Sequence, residues 1–379
     1  MSSYNYTIAH VWGIPIRINI SLIVFLPILA FLIGTGEQIA AYSTLINGIT
    51  PATVDPALLD GPGDRWVIGI AAAVGLFASV TFHELGHSWV AMRYDIEVES
   101  ITLWLLGGLA ALSSMPEEWD QEFTIAIAGP ISSLVLAGAC ILSLAILPES
   151  ALLLVYVVGF LGVINIVLAV FNMLPAFPMD GGRVLRALLA RNRSYVSATK
   201  TAANVGVAFA LIFAFLGIVV AFSPLLVLLA LFIYVAATSE SRTVLISELL
   251  AGLSVADVRS DHQPIPEDAP VSEAFDRLLG ERRSDLVVVD EHGTITGVLT
   301  AGALRGVPAT EYESTTVGSL ATMDVPTIDG ATSASDGLYE ILRGRSNVAL
   351  VESRGEPIGL VSRTDFNAAL DLRRETSAF

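Results

Sequence analysis

The sequence predicts an α-helical polytopic membrane bundle of about six transmembrane helices, with short β-strands or a re-entrant hairpin, followed by a soluble α/β tail. Three observations predict it. Mean hydropathy is +0.68 and 54% of residues are hydrophobic, too apolar for a soluble chain of 379 residues. Several apolar runs approach or exceed the length a helix needs to cross a bilayer. Charge is also segregated: residues 1–238 hold 14 Asp/Glu and 8 Lys/Arg, whereas residues 239–379 hold 23 and 12.

Residues 9–19, AHVWGIPIRIN, alternate loosely and predict a strand leading into the membrane. The spans are placed at about 18–33, 66–92, 123–147, 151–173, 201–222 and 225–237. The last is short enough that a kink or partial crossing stays open. Residues 35–65 read as a polar, acidic loop with Pro and Gly. Residues 94–112 contain β-branched residues and a Gly pair, so strands or a re-entrant hairpin are expected there. Such backbone survives at membrane depth only where protein or a water cavity satisfies it. The domain plan is a membrane domain at 1–238, a linker at 239–250 and a tail at 251–379.

Six spans put both termini on one side. Arg183, Arg186, Arg191, Arg193 and Lys200 cluster between the fourth and fifth spans, and Arg17 and Arg93 fall on the same face. The opposite face is acidic, with Arg65 its only base. The positive-inside rule therefore makes the termini and the tail cytoplasmic in a multi-pass cell-membrane protein.

A net charge of −17 argues against nucleic acid as a partner. Lys200 is the single lysine among 20 basic residues. With so many acids, this points to work in high salt, as in a halophilic archaeon, though a GC-rich genome also favours Arg. Cys140 is the lone cysteine, which excludes an internal disulfide and a Cys-based zinc site. No cleavable signal peptide is expected, because the first apolar run lacks a basic leader and a small-residue cleavage site.

The second span carries His83-Glu84-Leu85-Gly86-His87, an H-E-x-x-H pattern. On a helix, positions i and i+4 share a face, so both imidazoles can bind one Zn²⁺. Glu84 then stands beside the open coordination position, able to take a proton from water. Ionisable groups inside a membrane span cost several kcal/mol and are functional by default. Zinc needs a third protein ligand, and the candidates are His10, His262, His292, Asp180 and loop acids. Asp180 is favoured. It lies in NMLPAFPMDGGR (172–183), whose two prolines and two glycines must break the helix, and its carboxylate lowers the net charge of a buried Zn²⁺ centre. Its competing role is a cap for the helix that follows.

HELGH in one span and N-x-L-P-x-F-P-x-D-G-G-R in another resemble the site-2 protease family of intramembrane zinc metalloproteases, over essentially residues 1–238. The resemblance implies one Zn²⁺ per chain on His83, His87 and Asp180, with Glu84 as general base. It implies that Asn172 steadies the substrate carbonyl or oxyanion. WLLGGLA (104–110) matches a glycine-containing strand near the family's active site, where Gly107 and Gly108 would receive an unwound substrate as an added strand. AGPISS (128–133) matches the Gly-Pro start of the next core helix. Many relatives carry Asn shortly after that Pro, where this chain has Ser132 and Ser133. The PDZ domain that many bacterial relatives insert is not seen.

The tail repeats itself: SDLVVVDEHGTITGVLTAGAL (284–304) matches SNVALVESRGEPIGLVSRTDF (346–366) in pattern. The two copies, at about 251–308 and 314–372, resemble a tandem CBS pair. Such pairs commonly bind adenine nucleotides, ATP or AMP. Ser362-x-x-Asp365 matches the family's ribose-contacting pattern, whereas Thr300 is followed three residues later by Ala303. The competing role is a homodimerisation module without ligand. The implied activity is hydrolysis of peptide bonds in transmembrane protein substrates within the lipid bilayer, near the Arg-rich face. Two alternatives are a CBS-regulated metal or ion transporter and a non-catalytic membrane scaffold. Neither gives Glu84 a reason to stand beside the ligand pair.

Overall fold

The structure is a computed structural model that describes residues 5–377 apart from 51, 60, 62, 106, 114–115, 117, 149, 260–262, 281–284 and 345. His262 thus lies outside the described residues. The chain divides into two compact units, Met1–Arg242 and Thr243–Phe379.

The first unit opens with a hairpin of β1 (Asn5–Val11) and β2 (Ile14–Asn19). Asn19 then caps α1 (Ile20–Ile33), its side chain accepting from the Ser21 N–H. The chain bends by 72° and continues as α2 (Gly36–Ile49). A helix here departs from the loop expected over 35–65. The segment is polar in composition, but Ile39, Ser43 and Ile46 recur at helical spacing and are buried, with Ile39 and Ile46 in a core shared with Tyr156 and Phe160. Burial of one stripe outweighs the polar remainder.

Next come α3 (Asp64–Met92), β3 (Val98–Trp104), β4 (Gly107–Leu112), α4 (Trp119–Leu144) and α5 (Leu152–Asn172). They are followed by α6 (Asp180–Ala190), α7 (Tyr195–Phe215) with a π-helical end at Leu216–Val220, and α8 (Pro224–Leu249). Among the described residues five helices are long and apolar enough to cross a membrane, or six if the bent α1–α2 pair is one span. The sixth expected span is longer than its apolar core. Residues 238–249 contain no Pro or Gly, so α8 runs on through most of the segment assigned as linker.

The strands form one sheet in the order β1-β2-β3-β4, with β2 and β3 parallel and the other pairs antiparallel. The hairpin expected over 94–112 is β3–β4. Ile14, Ile16, Val98 and Ile101 of the sheet pack with Ala91 of α3 and Ile125 of α4. This core sets the sheet beside the end of α3 and leaves β4 as an edge strand.

The second unit contains α9 (Val255–Val258), β5 (Ile265–Pro266), α10 (Val271–Gly280), β6 (Asp285–Val289), β7 (Ile295–Thr300) and α11 (Ala301–Leu304). The pattern then recurs in β8 (Thr327–Asp329), α12 (Ala334–Arg343), β9 (Val348–Ser353), β10 (Glu356–Ser362) and α13 (Arg363–Ser377). The sheets β5-β6-β7 and β8-β9-β10 share one topology, a parallel pair followed by an antiparallel hairpin. Val287, Val289 and Val298 of one pack against Val348, Leu350 and Leu360 of the other. The sequence repeat is therefore a structural repeat around a shared apolar seam.

Candidate metal centre

Helix α3 places His83 and His87 one turn apart, both buried. Their Nε2 atoms face each other at 3.2 Å. Asp180 Oδ2 lies 3.0 Å from His83 Nε2 and 3.2 Å from His87 Nε2. Asp180 is the first residue of α6, and Met179 is the N-cap residue. Its carboxylate turns to the histidines, which separates it from the helix-cap alternative.

The outer ring nitrogens are also engaged. His87 Nδ1 is 2.7 Å from the Ile125 carbonyl, and His83 Nδ1 is 2.9 Å from Ser133 Oγ. A carbonyl only accepts, so His87 donates from Nδ1, which leaves Nε2 as the ring atom available to a metal. Two imidazole Nε2 atoms and a carboxylate oxygen converge on one point, an arrangement that a cation between them would stabilise. Two nitrogens and one carboxylate oxygen match a catalytic zinc set with one position left open. Space is provided as well. A Cβ on Gly129 of α4 would run into the Nε2 atoms of both histidines. Glycine at this position keeps the centre clear.

The sequence before Asp180 explains how that residue arrives. The 173–179 break contains Pro175 and a cis Phe177–Pro178 bond. It folds back so tightly that a Cβ on Gly181 would strike the Met173 and Leu174 carbonyls, and one on Gly182 the Ala176–Phe177 backbone. The glycine pair lets α6 begin against its own lead-in, with Asp180 directed at α3.

Glu84 is half-buried, and among the described residues its carboxylate has no hydrogen bond or ion pair. Gly108 of β4 lies against it: a Cβ there would come within 2.6 Å of Glu84 Cγ and 3.1 Å of Oε1. Gly107, with φ +138°, opens the same strand. Asn172 ends α5, where the break begins, half-buried and without a side-chain hydrogen bond among the described residues. The structure thus brings together His83, Glu84, His87, Asp180 and Gly108. His10 lies on the exposed edge strand β1 and His292 in the turn between β6 and β7; among the described residues the metal-ligating cluster is His83, His87 and Asp180. Ser362 and Asp365 lie in the tail and bond each other. The Ser362 N–H and Oγ both donate to Asp365 Oδ2 at 2.8 Å, at the start of α13.

Two contributors were not singled out as site residues from the sequence. Gly129 and Ser133 sit four apart on α4 and face α3, but only the packing of α4 on α3 gives them partners. Ser132, its neighbour, bonds the Gly129 carbonyl at 2.7 Å. Arg186, counted from sequence in the basic cluster that orients the bundle, is buried and paired with Glu122 and Glu240. A guanidinium with two carboxylate partners can leave water at much lower cost than an unpaired one.

A membrane-type helical bundle whose α3 and α6 converge two histidines and an aspartate beside a glutamate defines a polytopic membrane metalloenzyme. The pattern of Peptidase family M50 matches residues 71–153 and 148–215, and that of the CBS domain matches 255–309. A zinc metalloprotease of Methanocaldococcus jannaschii is 30% identical over 378 residues, covering 98% of this chain and 97% of that protein. Rip3 of Mycobacterium tuberculosis is 35% identical over 329 residues, 82% of each chain. The solved site-2 protease from M. jannaschii is 33% identical with a TM-score of 0.42, covering 63% of this chain and 96% of that one. The chain belongs to peptidase family M50 and is a multi-pass membrane zinc metalloprotease with a C-terminal CBS region.

Proposed function

We propose that this protease hydrolyses peptide bonds inside transmembrane segments of membrane-tethered proteins. His83, His87 and Asp180 hold the Zn²⁺, and Glu84 is the general base. The observation that carries this reading is the convergence of the three ligand atoms, within 3.2 Å of one another, beside the Glu84 carboxylate, which among the described residues makes no hydrogen bond or ion pair.

When bound, Zn²⁺ lowers the pKa of water and polarises a carbonyl. The protein's own groups do the rest. A helical substrate shields its carbonyls in internal hydrogen bonds, so it must unwind before cleavage. The open edge of β4 offers main-chain partners to an extended segment, and Gly107 and Gly108 let it approach beside Glu84. Asn172 donates its amide to the carbonyl as charge develops on oxygen. Glu84 takes the proton of the attacking water and passes it to the leaving nitrogen.

Residues 1–238 form the protease domain in this reading, and 251–379 a cytoplasmic regulatory tail joined to it through 239–250. The tail binds ATP or AMP at the Ser362-x-x-Asp365 motif, with Asp365 at the ribose and Ser362 holding Asp365 in place, or dimerises the chain. Cleavage of a transmembrane test substrate by purified protein tests the activity. Glu84→Gln should keep its zinc and lose activity by about 10²–10⁴-fold. Zinc-dependent cleavage at the wild-type rate by that variant would overturn the mechanism. Nucleotide titration of the full chain tests the tail, and no binding of any adenine nucleotide rejects the sensing role.

A further inference from the structure

Arg186 is the most heavily engaged charged side chain near the centre. It is 4% exposed. Its Nε donates to Glu122 Oε1 of α4 at 2.7 Å, and its Nη2 reaches the same oxygen at 2.5 Å. Its Nη1 donates to Glu240 Oε1 of α8 at 2.5 Å. The guanidinium also lies over the Phe177 ring at 5.0 Å and the Tyr195 ring at 4.9 Å. One side chain of α6 therefore touches α4, α7, α8 and the break that leads into Asp180.

The α4 partner matters most. Glu122, Ile125, Gly129 and Ser133 follow at spacings of three, four and four, so they share one face of α4. Along that face, Glu122 holds Arg186, the Ile125 carbonyl accepts from His87 and Ser133 meets His83, with Gly129 bare between the two rings. The same helix thus orients both histidines and anchors α6. Helix α6 is only 11 residues long and carries Asp180 at its first position. Phe177, stacked on Arg186, is three residues before Asp180.

We propose that Arg186 is a positioning residue for the metal centre. By locking α6 and the Phe177 turn onto the Glu122 face of α4, it sets Asp180 Oδ2 at coordination distance from the two histidines. The fork of the guanidinium is required, because it binds carboxylates on two helices at once in a fixed plane, which an ammonium cannot reproduce. Glu122 is the buried anchor. Glu240, with a side chain 31% exposed, is the weaker arm.

The inference rests on Asp180 being a zinc ligand, and the experiment separates the two claims. Zinc affinity of the full chain in detergent is measured by chelator competition, and ligand geometry by the visible spectrum of the Co²⁺-substituted protein. Removing Arg186 alone would strand the Glu122 carboxylate and threaten folding. The main variant is therefore the charge-balanced pair Glu122→Gln with Arg186→Met. Its zinc affinity should fall about 10–100-fold, the usual range for residues that orient ligands, with an altered Co²⁺ spectrum. Arg186→Lys keeps the charge and should fall between it and wild type. Glu240→Gln should show the smallest change. If the double variant does not fold, Arg186→Lys decides by the same two readouts. Wild-type affinity and a wild-type Co²⁺ spectrum in the deciding variant would overturn the proposal, leaving Arg186 a purely structural ion cluster. If Asp180→Asn also leaves affinity unchanged, it is the ligand assignment that fails.

Discussion

Gly108 on the edge strand β4 sits so close to Glu84 that a methyl group on it would reach within 2.6 Å of Glu84 Cγ. The strand proposed to receive substrate and the proposed general base are therefore in direct contact. Neither can be altered in bulk without moving the other. Gly108→Ala should displace the Glu84 side chain or push β4 away. The three atoms nearest that Cβ all belong to Glu84 and not to His83, His87 or Asp180, so zinc content should stay at the wild-type level. Misplacement on the order of 1 Å costs up to about 10²-fold in rate. Turnover of a transmembrane substrate alongside metal analysis checks this. Full activity in Gly108→Ala would separate β4 from the reaction.

Ser133 and Ser132 are adjacent, yet their roles should differ. Ser133 is fully buried and bonds His83 Nδ1 at 2.9 Å. Such a partner fixes ring orientation and basicity, so Ser133→Ala should weaken zinc binding about 10-fold or more. Ser132 bonds its own helix at the Gly129 carbonyl at 2.7 Å, and its contact with α3 is the longer one to the Phe82 carbonyl at 3.4 Å rather than to a ligand ring, so Ser132→Ala should leave affinity nearly unchanged. Equal losses in the two variants would mean that α4 is merely being loosened. Chelator competition on both variants distinguishes these outcomes.

Gly129 makes a sharper case, because the objection is steric. Alanine has high helix propensity, so Gly129→Ala should not disturb α4 itself and would relieve about 1 kcal/mol of backbone cost in an exposed helix. Its methyl group, however, would occupy the space between the two Nε2 atoms. The expected product is a protein that inserts and retains its helical content, but purifies with little zinc and is inactive at ordinary zinc concentrations. Circular dichroism with metal analysis reads both halves. Normal zinc retention would show that the rings do not converge on this point.

These residues mark where the sequence stops being legible. His83, Glu84 and His87 could be placed on one helical face because their spacing is local. Asp180 could be proposed because prolines and glycines announce a broken helix. Gly129 and Ser133 gain their meaning from α4 lying on α3, a contact between residues about 50 apart that no local pattern encodes. Helix α2 is hidden because it reads as one loop with the Pro- and Asp-rich residues that follow it, although a stripe at Ile39, Ser43 and Ile46 is buried. Arg186 carried the opposite difficulty. Charge counting assigns an arginine to a membrane face without saying whether it is buried, whereas two carboxylates on helices distant in sequence draw this one inside.

The tail offers a prediction in which two roles of one pair compete. The Ser362 N–H and hydroxyl both donate to Asp365 Oδ2, and Ser362 Oγ accepts from the Asp365 N–H at 3.4 Å, so the pair caps the first turn of α13. A ribose that seeks the Asp365 carboxylate must share an oxygen already taken by these donors. Ser362→Ala removes the cap hydroxyl and should destabilise the tail by about 1 kcal/mol, seen as a lower midpoint for its thermal transition. The same change frees acceptor capacity on Asp365, so affinity for AMP or ATP should be maintained or improved. Asp365→Asn should reduce it. Calorimetric titration of the full chain reads the affinities. If Ser362→Ala loses nucleotide binding while the tail stays folded, Ser362 contacts the ligand directly. If nucleotide raises the midpoint of wild type and Asp365→Asn equally, the ribose site lies elsewhere in the tail.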